Sequence, residues 1–370
     1  MSSTSRVLLT LALGLALTTH ARAEGPPQPQ SPPTMPKKLA VGTEGLFQPG
    51  LLLQGWFFVQ DQDETKSSFR LRRAELSVKG EILPQRISYA LMIDAAKVLE
   101  PDDTVLVVKN QDPAPTDPAN PEQVVVKQTS SALSMLQDFF ITFQSEWVDV
   151  SVGQFKTPVS LEGYSSSSKL LFPERARVSR EFGDKRDLGI RLAKSFEYVG
   201  FSAGIFNGAG LNRLDGDNDK DLALRLEAYP FKGLTLAGVV QATVGARDAA
   251  KDRFEGDVRL ELDGFFAQAE YIRASDKKAG ADAVSAHGFY LALAYTFADM
   301  WQPTLRVGYL DTDTDKNVAA GSKDELFHFD VGLNLFLAKH EAKLQLAFAH
   351  VAFEDASALD ELVLATQVAF

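Results

Sequence analysis

Cysteine is absent from the chain, which excludes a disulfide framework and thiolate metal sites. A chain that crosses an oxidising compartment while unfolded loses nothing by that absence. Histidine is scarce: beyond an N-terminal leader, only His287, His328, His340 and His350 occur. They are too scattered for a metal cluster or an obvious Ser/His pair, and no glycine-rich phosphate loop accompanies them. His350 sits on an apolar strand face, as a lipid-cleaving site would require, but no serine partner is evident. Neither catalysis nor a metal or cofactor has residues to rest on. After the leader, no segment reaches the ~18 uninterrupted apolar residues of a membrane-spanning helix. Positive charge is in deficit, with 38 Lys and Arg against 49 Asp and Glu, which argues against nucleic acid as a partner.

What is present begins with that leader. Arg6 supplies a positive start, Val7 to Leu17 an apolar run, and Ala21-Arg22-Ala23 a small-residue cleavage site. Residues 1–23 therefore read as a secretory signal peptide, which places the mature chain beyond the inner membrane. Residues 24–45 read as a spacer, because Pro26, Pro27, Pro29, Pro32, Pro33 and Pro36 keep a chain extended and solvated. Residues 46–370 read as one domain of barrel length.

Within that domain the hydrophobic pattern has period two. Leu222, Leu224 and Leu226 oppose Arg225 and Glu227; Phe289, Leu291, Leu293 and Tyr295 oppose Ala292, Ala294 and Thr296; Ala342, Leu344, Leu346 and Phe348 oppose Lys343 and Gln345. One apolar and one polar face fit either a soluble sandwich or a barrel with lipid outside and water inside. Strand number favours the second. Sixteen strands can be marked off, from Leu51–Gln60 to Leu362–Phe370, with tight turns alternating with long connections, as a transmembrane antiparallel β-barrel requires. On this reading Arg at Leu224 or Leu291 meets lipid, whereas Arg at Ala223 or Ala292 meets water. The long connection 97–134 carries Val105 to Val108 and Val124 to Val126, enough for a small hairpin.

The stretch from Val148 to Lys194 departs from the pattern. It starts and ends as a strand, but some thirty residues between alternate poorly and carry Leu161, Tyr164, Leu170, Leu171 and Phe172. A long loop with apolar residues reads as packed against something. From Lys156 to Lys194 it holds nine basic and five acidic residues, opposite in sign to the whole chain. Its cations Lys156, Lys169, Arg175, Arg177 and Arg180, with Arg191 beside them, are candidates for an anion filter. Each has a plainer role: pairing with Glu162, Glu174, Glu181 or Asp184 to pin the loop. Arg70, Arg72 and Arg73 crowd more charge into β-strand than one face can absorb. Arg70 and Arg72 read as rim residues facing lipopolysaccharide phosphates or a neighbouring loop.

These residues carry a resemblance. Phe69-Arg70-Leu71-Arg72-Arg73-Ala74-Glu75-Leu76 with Val78 and Gly80, and Gly153-Gln154-Phe155-Lys156-Thr157-Pro158 with Glu162 and Glu174-Arg175, resemble the phosphate-selective porins of the O/P type. Gly204-Ile205-Phe206-Asn207-Gly208, Ala269-Glu270-Tyr271 and Gly332-Leu333-Asn334 continue it along nearly all of the mature chain. The resemblance implies a bacterial outer-membrane barrel of about 16 strands, assembled as a homotrimer, with the third extracellular loop folded inward. It also implies passive passage of small anions such as phosphate or pyrophosphate, and a terminal Phe370 read by the outer-membrane assembly machinery. In phosphate-selective members rows of arginine line the lumen. Here Arg73, Arg191, Arg225, Arg259 and Arg306 share the inward face with Glu75, Asp138, Glu227, Glu261, Glu270 and Asp330. A general diffusion porin, or a non-conducting outer-membrane anchor or adhesin, are the alternatives.

Overall fold

The computed structural model describes residues 39–41, 45–99, 104–109, 123–128, 134–246, 248–314 and 323–370. The leader, most of the proline-rich spacer and the larger part of the 97–134 connection lie outside them. Among the described residues no helix is long and apolar enough to cross a membrane, so any crossing falls to strands.

Sixteen antiparallel strands follow one another: β1 (Gly45–Asp61), β2 (Thr65–Leu83), β3 (Ile87–Asp94), β4 (Leu136–Phe143), β5 (Asp149–Lys156), β6 (Arg186–Ser195), β7 (Val199–Phe206) and β8 (Lys220–Ala228). Then come β9 (Leu234–Val244), β10 (Ala250–Leu262), β11 (Phe265–Lys277), β12 (Ala283–Tyr295), β13 (Trp301–Asp311), β14 (Glu325–Ala338), β15 (Ala342–Phe353) and β16 (Leu359–Ala369). Each pairs with its neighbours in sequence, and β16 returns to β1 with Leu364 opposite Phe57 and Val368 opposite Leu53. Leu51 and Phe370 exchange backbone hydrogen bonds of 3.1 and 3.0 Å at the seam. Closure leaves no unpaired edge, the condition for a sheet to sit in hydrocarbon. A short strand, Leu39–Val41, pairs with Gly45–Phe47, so the sheet begins inside the segment read as spacer. The expected hairpin forms in the long connection, Thr104–Lys109 against Gln123–Gln128.

Faces follow the sequence pattern. Leu224 is 41% exposed and Arg225, beside it, 2%, so apolar side chains point out and charged ones in. Strands run beyond their alternating parts at the long-loop end: β2 starts at Thr65 and β12 at Ala283. Alternation is imposed where one face meets lipid, and a strand that continues past the lipid needs none. Short turns use residues tolerant of positive φ. Asp263 and Gly264 join β10 to β11 at φ 46° and 85°, the two-residue turn whose twist matches the flanking strands.

Two readings are corrected. Neither Arg70 nor Arg72 faces outward at the rim: Arg70 lies opposite Trp56 and over the Phe58 ring on the inward face, and the register shift between Gln54 and Gly55 turns both Arg72 and Arg73 inward, 6% and 3% exposed. A bulge places two residues opposite one and so breaks the period-two rule. Ala223 and Ala292 face inward but not into water. Ala223 packs with Phe155 and Phe206, and Ala292, wholly buried, lies beneath the loop between β5 and β6.

Candidate functional site: the loop across the polar face and the passage beside it

Residues 157–185, between β5 and β6, form two short helices, α1 (Leu161–Tyr164) and α2 (Arg177–Phe182), joined through a tight turn at Ser167–Lys169. Ser160 caps α1, its Oγ accepting from the Gly163 N–H at 3.0 Å. Such a segment lacks a strand partner, so its backbone groups must find side chains. It finds them on the inward faces of widely separated strands. Toward β10 and β11, N–H groups donate to carboxylates: Ser160 to Glu255 at 2.6 Å and Glu162 to Glu270 at 3.4 Å. Toward β14, β15 and β16, carbonyls accept instead: Leu170 from Lys343 (2.8 Å), Leu171 from Asn334 (2.9 Å) and Gln345 (3.2 Å), Ser168 from Gln367 (3.1 Å).

Apolar packing completes that attachment. Leu171, Phe172, Ala176, Val178 and Phe182 of the loop form one buried cluster with Ile272, Ala286, Tyr290, Leu310 and Val351 of the wall. Gly332 makes room for it: a Cβ there would come within 3.3 Å of the Phe172 ring and 2.6 Å of Thr304 Oγ1. The loop therefore packs closely on β11–β15 and leaves its larger open space toward β2–β6, a space that reaches Asp221, Arg253 and Asp276 as well.

The open side holds two cavities. One, of about 480 Å³, is lined by Arg72, Arg73, Asp94, Arg175, Asp184 and Lys185 among others. The second, of about 390 Å³, is lined by Lys79, Asp138, Phe140, Lys156, Tyr164 and Phe370 among others. Glu75, Ser167 and Arg186 line both. The two thus border each other at Ser167 of the loop and Glu75 and Arg186 of the wall, and this border is the neck.

The six loop cations singled out in the sequence do not act as one group. Lys156 donates to the Gly163 and Ser165 carbonyls at 2.6 and 2.9 Å and pairs with Asp184 at 3.1 Å. Arg175, 2% exposed, pairs with the same Asp184 at 3.0 Å and donates to the Glu162 carbonyl at 2.9 Å. Both pin the loop beside the neck. Burial pushes the Asp184 carboxyl up, but Lys156, Arg175 and Arg186 overcome it and hold it at about 2. Arg180 pairs with Glu174 at 2.7 Å, which Arg72 also holds at 2.7 Å. Burial likewise opposes ionisation of Glu174, yet Arg73, Arg72 and Arg180 keep it well below the usual carboxylate range.

The other three stand apart. Arg191 lies over the Phe155 ring at 4.6 Å and donates to Tyr164 Oη at 3.2 Å. Lys169 is exposed. Arg177 makes no hydrogen bond or ion pair with a described residue, and Asp330 and Glu361 act on it through space.

The wall arginines are braces. Arg73 donates to Gln54 at 2.6 Å, and Arg225 is held by Glu227 (2.8 Å), Glu255 (3.3 Å) and Asp257 (2.8 Å). Arg306 is held by Asp330 at 2.7 Å, and Arg259 reaches Ser165 Oγ at 3.1 Å. Sequence reasoning passed over Arg186, which pairs with Asp138 at 2.9 Å at the neck. It shares strand phase with the outward Ile190 and Leu192, so parity hides it, and only its place at the strand end frees it to turn in. Among the described residues, no three His, Cys, Asp or Glu side chains are arranged to hold a metal ion.

Comparison with known proteins places this barrel. Solved structures of similar fold include the trimer form of OmpT from Vibrio cholerae (TM-score 0.60, 9% identity, 88% of this chain and 100% of that one). An anion-selective porin from Comamonas acidovorans aligns with TM-score 0.57 and 10% identity over 88% and 100%. The outer-membrane channel DcaP of Acinetobacter baumannii aligns with TM-score 0.61 and 9% identity over 90% and 99%. At such identities the likeness is one of fold. A search of curated proteins returns no match. The family model for phosphate-selective porin O and P matches residues 54–262, more than half of the chain. With sixteen closed strands and a charged inner face, the chain belongs to the phosphate-selective porin O and P family of outer-membrane porins.

Proposed function

We propose that the protein is a water-filled channel for passive diffusion of small solutes, with a modest preference for anions, phosphate and pyrophosphate among them. The loop 156–186 is its constriction. The observation that carries this is the lining of the two cavities beside the neck, ten basic residues against eight acidic ones, with Lys156, Arg175 and Arg186 set among Asp184, Asp138 and Glu75 at the neck itself. In a narrow passage between low-dielectric walls, local charge outweighs the net charge of the chain. The Comamonas neighbour, named as anion-selective, agrees in sign. Homotrimeric assembly is part of the proposal and accords with the trimer form of the Vibrio neighbour. So are a cleaved leader over residues 1–23, a solvated spacer that ends before the short strand Leu39–Val41, lipopolysaccharide around the outer rim and recognition of Phe370 during assembly.

A second reading has its own support. Arg73, Arg225 and Arg306 each have carboxylate partners, which leaves few wall cations to select phosphate. On that reading the channel is a general diffusion porin. Reversal potential in a KCl gradient across a planar bilayer tests both: a potential of anionic sign supports the first, a null potential with open conductance the second. Absence of conductance overturns the channel and leaves an outer-membrane anchor.

A further inference from the structure

Away from the neck, on the side of the loop facing β1, β13 and β16, lies another cavity of about 350 Å³, within the roughly 300–1,000 Å³ of small-molecule sites. Two unlike surfaces bound it. One is apolar: Trp56 of β1, Val363 of β16, Ala347 of β15, and Phe172 and Pro173 of the loop. The other is basic: Arg70, Arg177, Arg180 and Arg306, with Arg175, already paired to Asp184, at its edge toward the neck.

The carboxylates that reach this cavity are already engaged. Asp330 accepts from Arg306 at 2.7 Å and lies 2.8 Å from His328 Nδ1. Glu174 holds Arg72 and Arg180, and Glu361 accepts from Gln60 at 3.0 Å. Arg177 differs: it is partly buried, yet bonded to no described residue. Its five guanidinium donors are therefore not taken up by the described residues and remain open to a ligand in the cavity. Its planar fork matches a carboxylate through two parallel bonds.

We propose that this cavity binds an organic carboxylate with an apolar body about the size of one ring. The carboxylate sits on Arg177, with Arg70 and Arg180 flanking it, and the body lies against Trp56, Phe172 and Val363. Inorganic phosphate satisfies the fork but leaves the apolar wall wet. A neutral ring covers the wall but leaves Arg177 bare. The site does not depend on what passes the neck, so it stands or falls separately from the channel reading.

Equilibrium dialysis of the full chain, folded in detergent micelles at low salt, tests it with benzoate, benzamide and inorganic phosphate as probes. Benzoate is expected to bind saturably at one site per chain, with benzamide and phosphate at least about tenfold weaker. Arg177→Gln is expected to weaken benzoate about tenfold or more. Val363→Ser should weaken benzoate while leaving phosphate unchanged. Heat-dependent gel migration reports whether each variant is folded, and Arg177→Lys, which keeps the charge but loses the fork, should fall between wild type and Gln. Phosphate competing as well as benzoate, unchanged benzoate binding in folded Arg177→Gln, or no saturable benzoate binding to the wild type would each overturn the proposal.

Discussion

The loop between β5 and β6 meets the barrel in two ways. Toward β11–β15 it is seated by buried apolar side chains and by wall side chains that take up its carbonyls. Toward β2–β6 its contacts are polar, among them Arg72 on Glu174, Lys156 on the Gly163 carbonyl and Arg191 on Tyr164, and the space beside them is lined by charge: Glu75, Asp138, Asp184, Lys156 and Arg186. The inward face of one barrel thus provides two environments. One is a protein core in miniature, and the other is a wet electrolyte lane. The first fixes where the second lies.

Breaking the seated side should have the largest effect. Phe172, 2% exposed and stacked under Arg306 at 4.4 Å, anchors the cluster. Phe172→Ala should remove about 3–5 kcal/mol of packing and let the loop leave the wall. Single-channel conductance should then rise, and trypsin should gain access to Arg175 and Arg177. Unchanged conductance with a protected loop would mean that the apolar cluster does not hold it.

The outer face gives the next effect and sharpens the distinction between inward and wet. Leu224→Arg puts a charge into lipid and should cost about 2–4 kcal/mol near the bilayer middle. Ala292→Arg should cost at least as much, because Ala292 is wholly covered by the loop. Urea unfolding of both variants in lipid vesicles measures the pair. A harmless Ala292→Arg would place water where the structure has packing.

A smaller effect belongs to the carbonyl clamp. Lys343, 1% exposed, donates to the Leu170 carbonyl. Lys343→Met should keep the side-chain volume and strand that carbonyl, at about 1–3 kcal/mol. Proteolysis of the loop should quicken without the conductance jump expected of Phe172→Ala, since Asn334 and Gln345 still hold Leu171.

How much of this was legible follows from where lipid acts. The sixteen strands were readable because lipid outside and polar contacts inside force alternation; the strand read at Leu362–Phe370 is Leu359–Ala369 in the barrel, and the one read at Leu51–Gln60 lies within Gly45–Asp61. Strand extensions such as Thr65–Arg70 were not, because beyond the lipid neither face is constrained. Arg72 was hidden by the bulge and Arg186 by its strand phase. The seat of the loop did leave a signal. Ile272, Tyr290, Leu310 and Val351 fall on the inward phase of polar-faced strands, and apolar residues there mark where something must cover them. The loop's basic excess was read two ways, as an anion filter or as pins for the loop. Lys156 and Arg175 pin it, because a buried cation must find partners.

On the open side, acid should act through Asp184. Its carboxyl is held at about 2, below the ~3.9 of a free aspartate, so its ion pairs contribute in full above the free value. That contribution fades as pH falls from about 4 through about 2. Protonation also removes a negative charge from beside the neck, so anion preference should grow over the same range. Asp184→Asn should show that increased preference already at neutral pH. Reversal potentials at pH 7, 4 and 2.5 check it; identical values for variant and wild type at pH 7 would take Asp184 out of the permeation path.

The smallest effect should come from Lys169. A combined Glu replacement of Lys156, Lys169 and Arg191 would not isolate selectivity. Lys156 is tied to Asp184, and Arg191 is wedged over Phe155, so that variant disturbs the loop itself. Lys169 is exposed and lies near Lys343 and His340; it lines neither lane cavity, though Ser167 and Ser168 beside it do. Lys169→Glu should fold normally and change the charge by two units outside the neck. At 0.1 M salt, where charges act over ~10 Å, the reversal potential should move slightly toward cations. At 1 M, where that reach falls to ~3 Å, it should not move. A shift as large as that of Asp184→Asn, or one that survives 1 M salt, would put Lys169 inside the lane and erase the difference between the two sides of the loop.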